Sequence, residues 1–219
     1  MIIVMLGAPG AGKGTIGKRL SNELGIKHLS SGDIFRKLIE GNTKIGKEIE
    51  ECINNGKLIP DELAMKIFEE KLVEYNLKNG IILDGYPRTE KQASHLDQML
   101  NKIKLKIDVV VNIDVSEQLI IDRIINRRIC SACGEIYNLK YGKRPQNYEV
   151  CDKCGSKLIQ RSDDNEKTVR GRLETYNNTT KDLLKYYEQK GVLFNLHSDQ
   201  NTTVDEAVEH AMTYISDIN

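Results

Sequence analysis

Residues 7–15, Gly7-Ala8-Pro9-Gly10-Ala11-Gly12-Lys13-Gly14-Thr15, leave the backbone few choices. An apolar run, Met1 to Leu6, precedes them, and a segment with helical spacing, Ile16 to Leu24, follows. Strand, glycine loop and helix in that order make a phosphate cradle: successive N–H groups face one concavity, and the helix N-terminus adds partial positive charge. Gly10, Gly12 and Gly14 put no Cβ between the backbone and a phosphate, and Lys13 supplies a mobile charge for the outer phosphates. The hydroxyl residue, Thr15, stands one place later than in the usual G-K-[ST] order, so the motif by itself does not place a hydroxyl on Mg²⁺.

At 219 residues the chain fits one α/β domain with small insertions. Its 32 basic residues balance 32 acidic ones, which argues against a protein that mainly coats nucleic acid or an anionic membrane. No run approaches the roughly 18 apolar residues of a membrane helix. Met1 opens directly into the first strand, so no signal or transit peptide is expected, and the expected compartment is the cytoplasm.

Further strands are predicted at Lys27–Leu29, Gly80–Asp84, Ile107–Ile113 and Val192–Leu196. Between the second and third, Ile34 to Ile59 is helical in spacing, broken at Gly41-Asn42 and ended at Asn54-Asn55-Gly56. That is more chain than a crossover needs, which suggests a small lobe over the site. Arg36 within it reads as a surface residue, and Cys52 as a packing one. Asp61 opens another helix after Pro60. Asp84 ends a buried strand, where an acid either orients Mg²⁺ or simply forms a turn. Thr89 is placed to start a helix, with Arg88 and Gln92 four apart; together they could read the phosphate and the base edge of one nucleotide. A helix is predicted over Asp114–Arg127, aligning Arg123 and Arg127 on one face for an anionic ligand unless Asp122 pairs with them. Asp163 and Glu166 resemble a capping box for a long helix carrying Arg172, with Arg161 just before it. His28, His95, His197 and His210 are scattered and are assigned no role.

Cys130-x-x-Cys133 and Cys151-x-x-Cys154, 17 residues apart, have the spacing of a tetrahedral zinc site. The intervening Tyr137, Tyr141, Pro145 and Tyr148 are β-like in composition, and so small a piece needs metal to hold it together. Four thiolates leave no open coordination position, so the zinc is expected to be structural. The five arginines Arg88, Arg123, Arg127, Arg161 and Arg172 suit phosphoryl transfer, which asks for positioning and charge neutralisation rather than covalent chemistry.

In order, G-A-P-G-A-G-K-G-T, S-S-G-D, D-G-Y-P-R-T and the four-cysteine insert resemble the adenylate kinases, and the chain is similar to a long-form member end to end. The resemblance implies MgATP + AMP ⇌ 2 ADP on a parallel sheet of order 2-3-1-4-5, flanked by helices. It implies a core of residues 1–29, 60–126 and 165–219, an AMP-binding lobe over 30–59 and a zinc-bound β lid over 127–164. By position, Gly10, Ala11, Gly12, Lys13, Gly14, Thr15, Arg127, Ile136, Tyr137 and Gln200 would hold ATP. Ser31, Arg36, Lys57, Leu58, Ile59, Gly85, Tyr86, Pro87, Arg88 and Gln92 would hold AMP. Arg161 and Arg172 would grip phosphates as the lid closes, Arg123 would join them, and Asp84 would orient hydrated Mg²⁺. A monomer acting on ATP, AMP and ADP, without nucleic acid or membrane, is the implied setting. Ser31 stands where threonine is common, Tyr86 where phenylalanine is frequent, and Gln200 where some members have lysine. Cys154 stands where some relatives use aspartate. Kinases of other nucleoside monophosphates, or with GTP as donor, are the nearest rivals, followed by a zinc-ribbon nucleic-acid binder.

Overall fold

A computed structural model describes residues 1–218, the side chain of Lys181 apart. In chain order, β1 (Ile2–Gly7), α1 (Lys13–Leu24) and β2 (Lys27–Ser30) lead to the paired helices α2 (Ser31–Glu40) and α3 (Lys44–Asn54). Then come α4 (Asp61–Val73), β3 (Ile81–Asp84), α5 (Glu90–Lys102), β4 (Val109–Asp114) and α6 (Glu117–Ile125). Three short strands, β5 (Arg127–Cys130), β6 (Ile136–Asn138) and β7 (Leu158–Ile159), precede α7 (Glu166–Gln189), β8 (Leu193–His197) and α8 (Val204–Asp217).

Five strands form one parallel sheet in the order β2-β3-β1-β4-β8; β8 is its fifth strand, so this is the expected 2-3-1-4-5 arrangement. Its centre reads as near-continuous Ile, Val and Leu because helices cover both faces. β1 shows the division: Ile2, Val4 and Leu6 pack with Phe68, Leu83, Leu96 and Tyr187 on one face. Ile3 and Met5 pack with Leu20, Ile82, Val111 and Ala211 on the other. Period-two alternation thus splits one strand between two cores. Side chains cap several helices: Thr43 accepts from Gly46 N (3.0 Å), Thr89 from Gln92 N (3.2 Å), and Thr203 forms a capping box with Glu206. α1 has Gly12 at its N-cap, with φ of 105°, and no side-chain cap. The N–H groups of Thr15 and Ile16 both donate to Gly12 O at 3.0 Å.

Two expectations fail locally. The helix predicted to reach Arg127 ends at Ile125, because Asn126 turns the chain and Arg127 pairs with Asn138 in an antiparallel strand. Arg123 and Arg127 therefore do not share a helical face. Asp122, offered as their partner, instead accepts from Lys140 Nζ (2.6 Å) and Tyr141 OH (2.9 Å). Asp163 caps nothing: Asn165 caps α7 through Thr168 N (2.9 Å), and Asp163 takes Arg172 as partner at 2.5 Å. No described helix is long and apolar enough to cross a membrane.

The α2–α3 pair turns sharply at Asn42 (φ 49°), and Gly46 lies against α2. Its far end is pinned to α7, where Ile53 O accepts from Arg172 Nη2 (3.3 Å) and Gly56 O from Thr175 Oγ1 (3.1 Å). β6-β5-β7 make a separate antiparallel sheet whose buried cluster is Cys130, Tyr137, Cys151 and Leu158. A Cβ at Gly46 would sit 2.3 Å from the Leu38 carbonyl oxygen, a backbone atom that cannot swing aside. Gly46→Ala is expected to cost roughly 1–3 kcal/mol by overpacking, lowering the melting temperature by several degrees. An unchanged melting curve would show that the two helices slide apart freely.

Candidate active site

A cleft of about 840 Å³ opens at the carboxyl ends of the central strands. This is where ligands bind in open α/β sheets. Its floor is the loop from Gly7 to Lys13. A Cβ at Gly10 (φ 86°) would fall 2.6 Å from Ile124 Cγ1, so only glycine lets the loop lie this close to α6. Lys13 folds back, donating to Gly7 O (2.7 Å) and Ala8 O (2.9 Å). Burial, opposed by Asp84 and reinforced by Arg88 and Arg127, pushes its pKa down to about 8. Asp84 lies at the end of β3, 6% exposed, with His28 Nε2 at 3.4 Å and Gly14 beside it.

Arginines surround this floor, and all those described except Arg161 are held by a backbone carbonyl or a carboxylate. Arg88 precedes α5 and donates from Nε to Gly85 O (2.8 Å) and from Nη2 to Ser31 Oγ (3.2 Å). Arg123 ties Asp199 O (2.9 Å) to Ala11 O (3.5 Å), joining the turn before α8 to the glycine loop. Arg127 makes two parallel bonds to Asp164, at 2.8 and 2.5 Å. Asp163 is held below the usual carboxylate range by Arg172, although burial opposes that shift. Arg36 pairs with Asp33 at 2.6 Å. Arg161 has no hydrogen-bonded carboxylate among the described residues; burial, then Arg127 and Arg36, push it down to about 10. Burial likewise depresses Arg88 and Arg123.

The described lining carries ten lysines and arginines against three aspartates, in a chain whose total charge is zero. Cations gathered in one cleft repel one another unless an anion neutralises them. Their concentration in one cavity therefore calls for a multiply charged anion.

The four cysteines at 130, 133, 151 and 154 bring their sulfurs within 4.8 Å of one another. Cys130 and Cys154 Sγ are 3.3 Å apart, Cys133 and Cys151 Sγ 3.7 Å, and all are free thiols. That is too far for a disulfide and close to the edges of a tetrahedron around one ion, so the set fits a metal. The Tyr137 hydroxyl lies 3.5 Å from Cys151 Sγ.

A family model described as adenylate kinase matches residues 5–192. The chain belongs to the adenylate kinase family. A protein named adenylate kinase from Clostridium tetani is 44% identical over 219 residues, the full length of both chains. One from Caldanaerobacter subterraneus subsp. tengcongensis is 46% identical over 209 residues, 95% of this chain and 93% of its own. One from Ruminiclostridium cellulolyticum is 47% identical over 194 residues, 88% and 90% of the two chains.

Within this family member, every nucleotide-site residue expected from the sequence lines the one cleft. Ser31, Arg36, Lys57, Leu58, Ile59 and Gln92 lie toward the paired helices. Ile136, Tyr137 and Gln200 lie on the side of β6 and the turn before α8. Arg36, read from its residue context as a surface side chain, lines the cleft and is 39% exposed. The cysteines stand apart in the small sheet. Sequence reasoning missed Asp33, Asp163 and Asp164 as partners of the arginines, His28 beside Asp84, and Asp61 behind Gln92. The Asp163-Asp164 pair after Arg161 was the available signal, and a helix-capping pattern masked it. Cys130→Ser is expected to abolish the near one equivalent of bound metal and lower the melting temperature, with phosphoryl transfer surviving below it. Elemental analysis beside a melting curve checks this, and a variant that kept metal and stability would overturn the metal-site reading.

Proposed function

We propose that this chain transfers the γ-phosphoryl group of MgATP to AMP, giving two ADP, reversibly. The observation that carries the reading is the surplus of cations lining the cleft of about 840 Å³ around the glycine loop. Gly10 to Thr15 would cradle the ATP phosphates with N–H groups of the uncapped α1, while Arg123, Arg127, Ile136, Tyr137 and Gln200 hold the rest of the donor. Ser31, Arg36, Lys57, Leu58, Ile59, Gly85, Tyr86, Pro87, Arg88 and Gln92 would hold AMP with its phosphate toward Arg88. Arg161 and Arg172 complete the ring about the transferring group, where planar guanidiniums grip equatorial oxygens.

Asp84, buried beside Gly14, would orient the water shell of Mg²⁺ carried in with ATP, which would neutralise charge on the phosphates. The lobe over 30–59 and the lid over 127–164 would close and exclude water, the competing phosphoryl acceptor. Zinc is the ion that suits four thiolates, and its task there is to hold the lid's shape. A cytoplasmic monomer is the setting this reading takes.

A coupled assay of ATP with AMP, CMP, UMP and GMP tests the reaction: ADP formation with AMP above the others is expected, and none with AMP overturns it. Arg88→Ala should lose on the order of 10²-fold in turnover with the fold intact, measured in the same assay. Lys13 gives a pH test. In the empty enzyme its ammonium is present below about pH 8 and lost above it. kcat/KM for ATP is therefore expected to fall as pH rises through about 8. kcat should hold to higher pH, because bound phosphate stabilises the ammonium. A flat kcat/KM profile from pH 7 to 9.5 would remove Lys13 from the phosphate site.

A further inference from the structure

Gln92 is 2% exposed and lines the cleft toward the paired helices, so its amide offers a fixed polar edge to whatever base sits there. Both ends of that amide are already committed. Its Oε1 accepts from the backbone N–H of Arg88 at 2.8 Å. Its Nε2 donates to Asp61 Oδ1 at 2.8 Å, and the same oxygen accepts from Thr89 Oγ1 at 2.9 Å. Asp61 begins α4, half-buried behind Gln92, and does not line the cleft.

An ionised carboxylate can only accept, and a backbone N–H can only donate. With the amide reversed, N–H would face N–H at Arg88 and oxygen would face oxygen at Asp61. Both contacts would then fail together, so one orientation is enforced from two sides. An amide oxygen has two lone pairs and an amide nitrogen two hydrogens. After these two bonds, one acceptor and one donor remain, in fixed order. That order complements a base edge with an exocyclic amino donor next to a ring-nitrogen acceptor, as in adenine. It opposes an edge with a carbonyl oxygen next to a ring N–H, as in hypoxanthine, which meets like against like.

We propose that Asp61 is a specificity-determining positioning residue: by locking the orientation of the Gln92 amide it makes the acceptor site select 6-amino over 6-oxo purine monophosphates. The inference rests on the reading of this side of the cleft as the AMP site. AMP and IMP differ at this edge and share ribose and phosphate, so the ratio of their kcat/KM values reports the amide alone. A buried edge that offers the wrong partner discriminates strongly.

The test compares that ratio in the wild-type enzyme, Asp61→Asn and Asp61→Ser, each with ATP as donor. Asparagine and serine can accept or donate, so either releases one of the two anchors. The ratio should fall about tenfold, the worth of one charge-assisted hydrogen bond, with loss on AMP and gain on IMP. KM for ATP should stay at the wild-type value. Serine suits a helix N-terminus and gives the same readout independently of how well the asparagine variant folds. A purely structural role for Asp61 would slow both substrates equally, and an unchanged ratio in an active variant overturns the proposal. So does a wild-type enzyme that uses IMP as well as AMP. A wild-type enzyme inactive on AMP refutes the reaction itself, a result distinct from either.

Discussion

Positive charge crowded into one cleft is the constraint the rest of the structure answers. Lys13, Arg88, Arg123 and Arg161 all pay in proton affinity for their burial. A flexible chain would turn such groups outward. Here carbonyls of Gly7, Ala8 and Gly85 hold Lys13 and Arg88, those of Ala11 and Asp199 hold Arg123, and the carboxylates Asp163 and Asp164 hold Arg172 and Arg127. The scaffold resists because β1, β3 and β4 are closed in by apolar packing on both faces. Orientation of the charges is thus settled before ligand arrives, which is how electrostatic stabilisation avoids a reorganisation cost at the moment of reaction.

What the sequence made legible divides by range. The glycine loop could be read because its backbone demand is local: residues 7 to 15 carry the whole message. The cysteine set could be read because metal geometry fixes spacing, and the folded chain does gather the four sulfurs. The order of the parallel sheet came from resemblance rather than periodicity, since buried strands of Ile and Val look alike. Errors arose where a local rule competed with a distant partner. Helical spacing linked Arg123 to Arg127, but pairing with Asn138 drew Arg127 into a strand. A capping pattern claimed Asp163, but Arg172 took it. The bond from Arg127 to Asp164 spans 37 residues, and no window of sequence contains both its ends and the reason for it.

Two kinds of cohesion coexist in the chain. The large sheet is secured by packed hydrocarbon on both faces. The small sheet has four buried side chains, two of them cysteines. It cannot draw on apolar burial to the same degree and depends on sulfur chemistry instead. Tyr137 belongs to both worlds, touching Cys151 with its hydroxyl while lining the cleft.

The attachment of the paired helices to α7 has a mechanical meaning. Ile53 and Gly56, where those helices rejoin the body, hang from Arg172 and Thr175 rather than from the sheet. A lever fixed to the same shaft that carries Arg172 cannot swing without loading that shaft. Any movement of the paired helices is therefore felt, through a single helix, at Arg172.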